Sequence, residues 1–235
     1  MATSKGGQTK ALILETALKM FRDRGYEATT MRAIAKKAGV SLGNAYYYFP
    51  SKELLIQAFY HRTHEEHLAA SIPVLEKDLS LKARLLEVMR LKITTLEPYH
   101  EFAGALFKTA AHPGSALNPF ADASDAVRQA SIQLFDQVVR KAKTRIPEDL
   151  RTELPYLLWL YHMGIILFWI HDSSRKRART HRLIDHTVDL VDRLISLASN
   201  PLMRPLRKKA LSVMDELREA LPDESENAEP ALEGA

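Results

Sequence analysis

The chain has 235 residues, of which 46% are hydrophobic and 26% charged, a composition typical of a soluble globular protein with one large or two modest domains. The absence of cysteine excludes disulfides, thiolate metal sites and cysteine nucleophiles. The net charge of +4 is uneven: residues 1–62 hold ten Lys and Arg against four Asp and Glu (+6), and the remainder hold 23 against 25 (−2). The N-terminal quarter therefore suits a polyanionic partner, unless its charges only form a solvated face.

The first seventy residues predict three short helices followed by a longer one. The predicted helices cover 9–24, 31–38, 41–49 and 52–70. Apolar residues at positions i, i+3, i+4 and i+7 mark the first of them. Gly25 and Gly39 end the first two helices, and Thr30, Ser41 and Ser51 stand where N-caps stabilise the other three. The N-terminus lacks the apolar segment of a secretory signal, so we expect a cytoplasmic protein.

The rest of the chain also predicts helices, and no strand-like alternation is visible. The helices cover 80–97, 99–111, 124–144, 150–170, 181–199 and about 206–221, with a Gly- and Pro-containing loop at 112–124 and a basic turn at 171–180. Residues 222–235 are acidic and lack aromatic side chains, which predicts a disordered tail. We therefore predict an all-α fold.

The apolar run at 154–170 allows two interpretations. It is a little short for a bilayer, it opens near Pro155, and His162 lies at its middle. For these reasons we favour a buried helix over a membrane-spanning one.

Two short helices joined by a glycine turn, at about 31–50, have the outline of a helix-turn-helix. In that motif the second helix lies in the major groove of DNA, and residues near its N-terminus reach base edges. Gly43 would let the main chain approach DNA closely, and Asn44 offers a donor and an acceptor for adenine. Helical spacing places Tyr46 and Tyr47 on the same outward face as Gly43.

The other side of this helix is expected to carry Ala45, Tyr48 and Phe49 into the core. Helix N-termini near the motif carry hydroxyls and cationic side chains of the kind that bind DNA phosphates. The predicted DNA contacts are Thr29, Thr30, Arg32, Ser41, Leu42, Gly43, Asn44, Tyr46, Tyr47 and Lys52. The same pattern also fits a helical hairpin that has an aromatic cluster and no ligand.

A spaced set of residues in this quarter of the chain matches a known family. The matching residues are Ala17, Phe21, Gly25, Thr30, Ile34, Ala35, the AGVS segment at 38–41, Gly43, Tyr46, Phe49 and Lys52. With them, residues from about 8 to 67 resemble the N-terminal domain of the TetR family of transcriptional regulators. Two positions depart from the family pattern. Position 42 often holds a basic or small residue, and position 45 often holds a larger aliphatic residue, whereas this chain has Leu42 and Ala45. Leu42 could touch a thymine methyl, so base preference cannot be carried over.

The resemblance implies a DNA-binding domain at 8–68, a helical effector-binding and dimerisation domain at 69–221, and a tail at 222–235. It implies a homodimer that binds a pseudo-palindromic operator in double-stranded DNA. The homodimer would act as a repressor that a small-molecule effector releases from DNA. The alternative is an activator of the same fold. The dimer surface would use helices at about 150–171 and 178–198. Its candidate residues are Trp159, Leu160, Ile166, Leu167, Leu190 and Leu194. These residues could instead fill the core of the monomer, but we favour the dimer surface, because a helix that is apolar all round needs cover on every side.

The resemblance also implies an effector pocket in the second domain. Its candidate residues are Phe102, Phe107, Trp159, His162, Met163 and Trp169. This mostly apolar set suits a greasy or aromatic effector, although aromatic and Met residues at helical spacing also occur in plain cores. No cofactor and no metal are expected.

Patterns typical of enzymes are weak. The three histidines within 61–67 are spaced by three residues, so they do not share one line along the helix, and they lack an H-E-x-x-H spacing. His112, Ser115 and Asp122 share a loop without a G-x-S-x-G elbow, and no Walker A or dinucleotide glycine pattern occurs. The basic run at 175–180 could bind nucleic acid, but a solvated turn explains it as well. We predict a DNA-binding regulator, with a helical metal protein or enzyme as the alternative from another class.

Overall fold

The computed structural model describes residues 5–112 and 114–219, which form ten α-helices and no β-strand. The helices are α1 (Lys5–Arg24), α2 (Met31–Ala38), α3 (Leu42–Tyr48), α4 (Lys52–Leu75), α5 (Leu81–Leu96), α6 (His100–Ala110), α7 (Asp125–Arg140), α8 (Glu148–His171), α9 (Ala178–Ala198) and α10 (Arg204–Glu219). The predicted all-α class is confirmed. The predicted tail at 222–235 lies outside the described residues, as does the end of the predicted last helix.

Helices α1 to α3 and the first half of α4 share one hydrophobic core. Its buried members include Ile13, Ala17, Phe21, Ile34, Ala45, Phe49, Leu55 and Ile56. The hydroxyls of Thr30, Ser41 and Ser51 each accept a hydrogen bond from the N–H three residues on, so the predicted N-caps are confirmed. Gly25 and Gly39 follow α1 and α2 with φ angles of 85° and 70°, the left-handed conformation that glycine adopts without strain.

The end of α4 and helices α5, α7, α8 and α9 surround a second, larger core. Helix α7 packs along α8, and α5 packs on both α4 and α9. Trp169 and Phe135 are its largest fully buried apolar side chains. Because α4 contributes residues to both cores, it forms a continuous rod between the N-terminal domain and the C-terminal body.

Helix α6 lies between the two parts of the molecule. Its Phe102, Leu106 and Ala110 belong to the N-terminal core. The ring centroid of Phe102 lies 6.0 Å from that of Phe21 on α1 and 5.1 Å from that of Phe59 on α4. The buried face of α6 therefore ties the C-terminal body directly to the first helix of the N-terminal domain.

Helix α8 is long and apolar enough, by length and composition alone, to cross a membrane. Its Leu158, Ile165 and Trp169 instead pack into the core of the C-terminal body. The prediction of a buried helix holds for this face only, because Leu167 and Phe168 on the other face are exposed.

Candidate DNA-reading surface and internal cavity

Helix α3 has one buried side and one exposed side. Ala45 and Phe49 are almost completely buried, which fixes the helix on the N-terminal core. Tyr47 is 80% exposed and Tyr46 45% exposed on the opposite side, whereas Tyr48 is half-buried and packs edge-on against Tyr47. The predicted division of the three tyrosines between two faces is confirmed.

Asn44 and Gly43 complete the exposed side of α3. The backbone N–H of Asn44 donates to the Ser41 hydroxyl at 3.1 Å, and no hydrogen bond from another described residue occupies its side-chain amide. A Cβ added to Gly43 would meet no atom within 4 Å, and the residue has no positive φ. The fold therefore does not require glycine at position 43, whereas the close approach of an external backbone would.

Helix α2 supplies positive charge beside α3. Arg32, Lys36 and Lys37 are exposed, and none of them forms an ion pair within residues 5–112 and 114–219. Thr30 is also exposed at the N-terminus of this helix, where backbone N–H groups favour anions. The predicted phosphate contacts of Thr30 and Arg32 fit this exposure and stay predictions.

Two predicted phosphate contacts need revision. Thr29 is only 1% exposed, and its hydroxyl donates to the carbonyl of Gly25 at 2.8 Å, because the end of α1 leaves carbonyl groups that need donors. The predicted DNA contact of the Thr29 side chain is therefore wrong. Lys52 donates from Nζ to the carbonyl of Tyr26 at 3.0 Å and lies 4.3 Å from the centroid of its ring. A phosphate contact of Lys52 would compete with these interactions.

A cavity of about 450 Å³ lies in the C-terminal body, bounded by α4 to α8 and the loop between α6 and α7. This volume is within the range of small-molecule sites. Its wall includes five of the six predicted pocket residues: Phe107, Trp159, His162, Met163 and Trp169. The sixth, Phe102, does not line the cavity, because its ring packs between Phe21 and Phe59 in the N-terminal core. Its assignment to the pocket is corrected.

One side of the cavity carries a buried basic cluster of Lys92, His64 and His162, with His67 behind it. Nδ1 of His64 lies 3.1 Å from the hydroxyl of Ser131, and burial, reinforced by the charge of Lys92, lowers the pKa of that histidine. The same two effects lower the pKa of His67 to about 3, although its hydrogen bond to a backbone carbonyl acts in the opposite direction. These rings are therefore neutral at pH 7.

Sequence reasoning missed Lys92, although a signal for it exists. The buried face of α5 follows helical spacing through Leu85, Val88, Met89, Ile93 and Leu96. A lysine at position 92 falls within this stripe rather than on the solvent face. A charged residue inside an apolar stripe marks either a buried partner or a cavity.

The histidines of the predicted metal alternative do not converge. His61 is exposed and lies 3.4 Å from the carboxylate of Glu65, whereas His64 and His67 are buried on another side of α4. No group of three or more His, Asp or Glu residues in the described part of the chain is placed to hold a metal ion.

Two family models match the sequence. The model of bacterial regulatory proteins of the tetR family matches residues 13–59, which contain α2 and α3. The model of the tetracyclin repressor-like C-terminal domain matches residues 84–228, more than half of the chain.

Curated relatives agree with these matches. The chain is 24% identical over 151 residues to the uncharacterized HTH-type transcriptional regulator YuxN of Bacillus subtilis, covering 64% of this chain and 51% of that protein. It is 37% identical over 98 residues to the HTH-type transcriptional regulator RutR of Escherichia coli, covering 42% of this chain and 45% of the relative. The match therefore spans about half the length of these relatives.

Solved structures share the fold. A tetR-family transcriptional regulator from Streptomyces coelicolor superposes with a TM-score of 0.60 at 23% sequence identity, and the match covers 90% of each chain. The two family models together extend over the N-terminal domain and the C-terminal body. The chain belongs to the TetR family of bacterial regulatory proteins.

Proposed function

We propose that this protein is a ligand-responsive transcriptional regulator that reads double-stranded DNA with α3. The observation that carries the proposal is the exposed side of α3, where Asn44, Tyr46 and Tyr47 project from a helix that is capped at Ser41 and anchored by Ala45. Polar and aromatic side chains whose polar groups no hydrogen bond from the described residues occupies are suited to base edges and phosphates. The cations of α2 would position the phosphate backbone beside them.

A homodimer would match the two-fold symmetry of a pseudo-palindromic operator. The proposed dimer surface is the exposed apolar face of α8 and α9. Its members are Leu167, Phe168, Leu190, Leu194 and Leu197, all at least 40% exposed in the single chain. A solvent-facing patch of this kind marks an interaction site. Trp159 leaves the predicted set because it is 2% exposed. Leu160 and Ile166 are half-buried and line the cavity, as does the exposed Leu167.

The proposed response to ligand runs through α6. Phe107 on this helix lines the cavity, whereas Phe102, little more than one turn earlier, packs against α1. A ligand that displaces α6 would shift α1 and change the spacing of the two α3 helices in a dimer. Regulation then requires a difference in ligand affinity between two conformations of the dimer. The ligand must bind the conformation whose α3 spacing does not fit DNA more tightly than the conformation whose spacing does.

We further propose that the regulator is cytoplasmic and acts by covering a promoter. The tetR family is a family of regulatory proteins rather than of enzymes. An activator of the same fold would use the same reading surface and the same cavity, and a reporter gene behind the selected operator separates the two. Expression that rises when the regulator gene is deleted indicates repression.

Asn44→Ala is expected to weaken binding to the preferred duplex by about 1–3 kcal/mol and to relax base preference, because it removes a contact to a base edge. Arg32→Ala should instead weaken all duplexes alike and flatten the dependence of affinity on salt, since it removes a phosphate contact. The measurement is fluorescence anisotropy on a duplex selected from a random pool, at two salt concentrations. Wild-type affinity in Asn44→Ala would remove its base-reading role.

Gly43→Ala should separate stability from DNA binding. The open space around position 43 and the gain in helix propensity predict a protein that is as stable as wild type, or more stable by up to about 1 kcal/mol. The added methyl group would hold the DNA backbone away and reduce affinity about tenfold or more. Urea unfolding and anisotropy on the same samples give both quantities. Unchanged affinity would show that DNA does not approach α3 at this position.

A further inference from the structure

Lys92 is a buried cation for which the described part of the chain provides no counter-ion. Its side chain lines the cavity and is 7% exposed, and no carboxylate there lies within ion-pair distance of Nζ. Among the described residues, Glu66 is the acidic group that raises the pKa of Lys92, but Glu66 faces solvent and its carboxylate lies 3.7 Å from Nε of Arg62. Burial lowers the pKa of Lys92 to about 8, so the ammonium form still predominates at pH 7.

A buried ammonium without a partner destabilises a fold, and proteins keep one where it has a role. The surrounding apolar residues of α5 show that a hydrophobic side chain would suit position 92 at least as well. An anionic group bound in the cavity would supply Lys92 with the counter-ion that the described residues do not provide.

His162 adds a second free donor on the same wall. Both of its ring nitrogens are buried and have no hydrogen-bond partner in the described residues. Burial, with a smaller contribution from the charge of Lys92, lowers the pKa of His162 well below its usual value, so the ring is neutral and carries one N–H. His64 is already engaged with Ser131, and His67 with the carbonyl of Val88.

The other ionisable groups on the cavity wall are satisfied. Arg128 donates to two backbone carbonyls and to the carboxylate of Asp125. The hydroxyl of Tyr60 donates to the carbonyl of Leu117. Among the ionisable groups that the described residues place on this wall, the unpartnered ones are therefore one cation and one imidazole ring with an N–H donor, and this pair suits an acceptor that carries a single negative charge.

Most of the remaining wall is apolar and aromatic. Phe59, Phe107, Trp159 and Trp169 surround a space of about 450 Å³, enough for the body of a small organic molecule. Both tryptophans of the chain line this cavity, so intrinsic fluorescence reports its occupancy directly.

We propose that the cavity binds an apolar monocarboxylic acid, whose carboxylate pairs with the ammonium of Lys92 and accepts the ring N–H of His162 while its hydrocarbon body lies along the aromatic wall. A dianionic phosphate fits less well, because a single buried cation would leave its second charge uncompensated. The role of such an acid as the effector rests on the proposed function. Its binding does not, because the binding is measured without DNA.

The test titrates the intact protein with octanoate, decanoate and dodecanoate, and with the corresponding alcohols as neutral probes of matched chain length. At least one acid should quench or shift tryptophan fluorescence and bind about tenfold or more tightly than its alcohol, as expected for a charge-assisted contact. Lys92→Met should weaken acid binding to about the level of the alcohol and so remove this preference. Without ligand, Lys92→Met should melt at a higher temperature than wild type, since it removes an unpaired buried charge.

Lys108→Met is the matched control, because Lys108 is an exposed lysine on α6 and does not line the cavity. It should retain the acid preference in full. Lys92→Gln, which keeps a polar side chain, provides a second variant if Lys92→Met folds poorly, and it should lose the acid preference as well. The proposal is overturned if none of the acids binds, if the alcohols bind as tightly, or if both Lys92 variants keep the preference. Failure of acid binding in a protein that still recognises a symmetric duplex leaves the proposed function standing.

Discussion

Phe102→Ala is expected to lower the free energy of unfolding by about 3–5 kcal/mol, the usual cost of truncating a buried phenylalanine. The Phe102 side chain is 2% exposed and touches the rings of Phe21 and Phe59 from opposite helices. Its removal leaves a hole where three helices meet, and α1 and α4 cannot close it without leaving their own contacts. Urea unfolding followed by circular dichroism measures the loss.

Phe120→Ala provides the control, because Phe120 is 55% exposed and its truncation should cost less than about 1 kcal/mol. An equal loss in the two variants would contradict the placement of Phe102 inside the N-terminal core, between Phe21 and Phe59. The milder Phe102→Leu keeps most of the apolar volume and should fold. If α6 connects the cavity to α1, this variant binds DNA but responds less to a cavity ligand than wild type does.

Asp172→Ala is expected to lower the free energy of unfolding by about 2–4 kcal/mol, because it leaves buried donors without an acceptor. The carboxylate of Asp172 accepts the N–H of Ser174 at 2.8 Å, and the N–H and hydroxyl of Thr180 at 2.9 and 2.8 Å. It thereby holds the turn between α8 and α9, in which Lys176 and Arg177 both have a φ of 53°. The control Asp23→Ala removes an exposed carboxylate and should cost little.

The effect of Asp172 should also depend on pH. Burial alone would raise the pKa of this carboxyl group, but the hydrogen bonds from Ser174 and Thr180 outweigh burial and hold the pKa well below its usual value. The unfolded chain, with a pKa of about 3.9, binds the proton first, so the stabilisation is complete above that pH and declines as the pH falls. The stability difference between wild type and Asp172→Ala should shrink by about 1 kcal/mol from pH 6 to pH 3. A difference that grows over this range would contradict the hydrogen-bonded carboxylate.

Local sequence signals predicted the N-terminal part of the fold. Thr30, Ser41 and Ser51 cap their helices because hydroxyls followed by helix-forming residues satisfy free N–H groups whatever lies around them. The burial of Ala45 and the exposure of Tyr46 and Tyr47 follow from helix geometry once one face of the helix is apolar. Such features depend only on residues a few positions apart.

Features that depend on how helices pack against one another could not be predicted. Phe102 and Phe107 look alike in sequence, but Phe102 packs in the N-terminal core and Phe107 lines the cavity, because α6 lies between the two parts of the molecule. Trp159 was assigned to both a dimer surface and a pocket, and the packing of α8 on α7 places it in the cavity wall. Thr29 looked like a phosphate ligand because a single sequence does not show that the end of α1 already uses its hydroxyl.

The central claim is that α3 reads a two-fold-symmetric DNA sequence. The most direct test is selection of duplexes from a random pool by the purified protein at moderate salt, followed by sequencing of the bound fraction. We predict enrichment of one inverted-repeat sequence whose half-sites lie about one helical turn or more apart, and loss of that enrichment in Asn44→Ala. Recovery of no preferred symmetric sequence, or recovery of the same sequence by Asn44→Ala, would contradict the account.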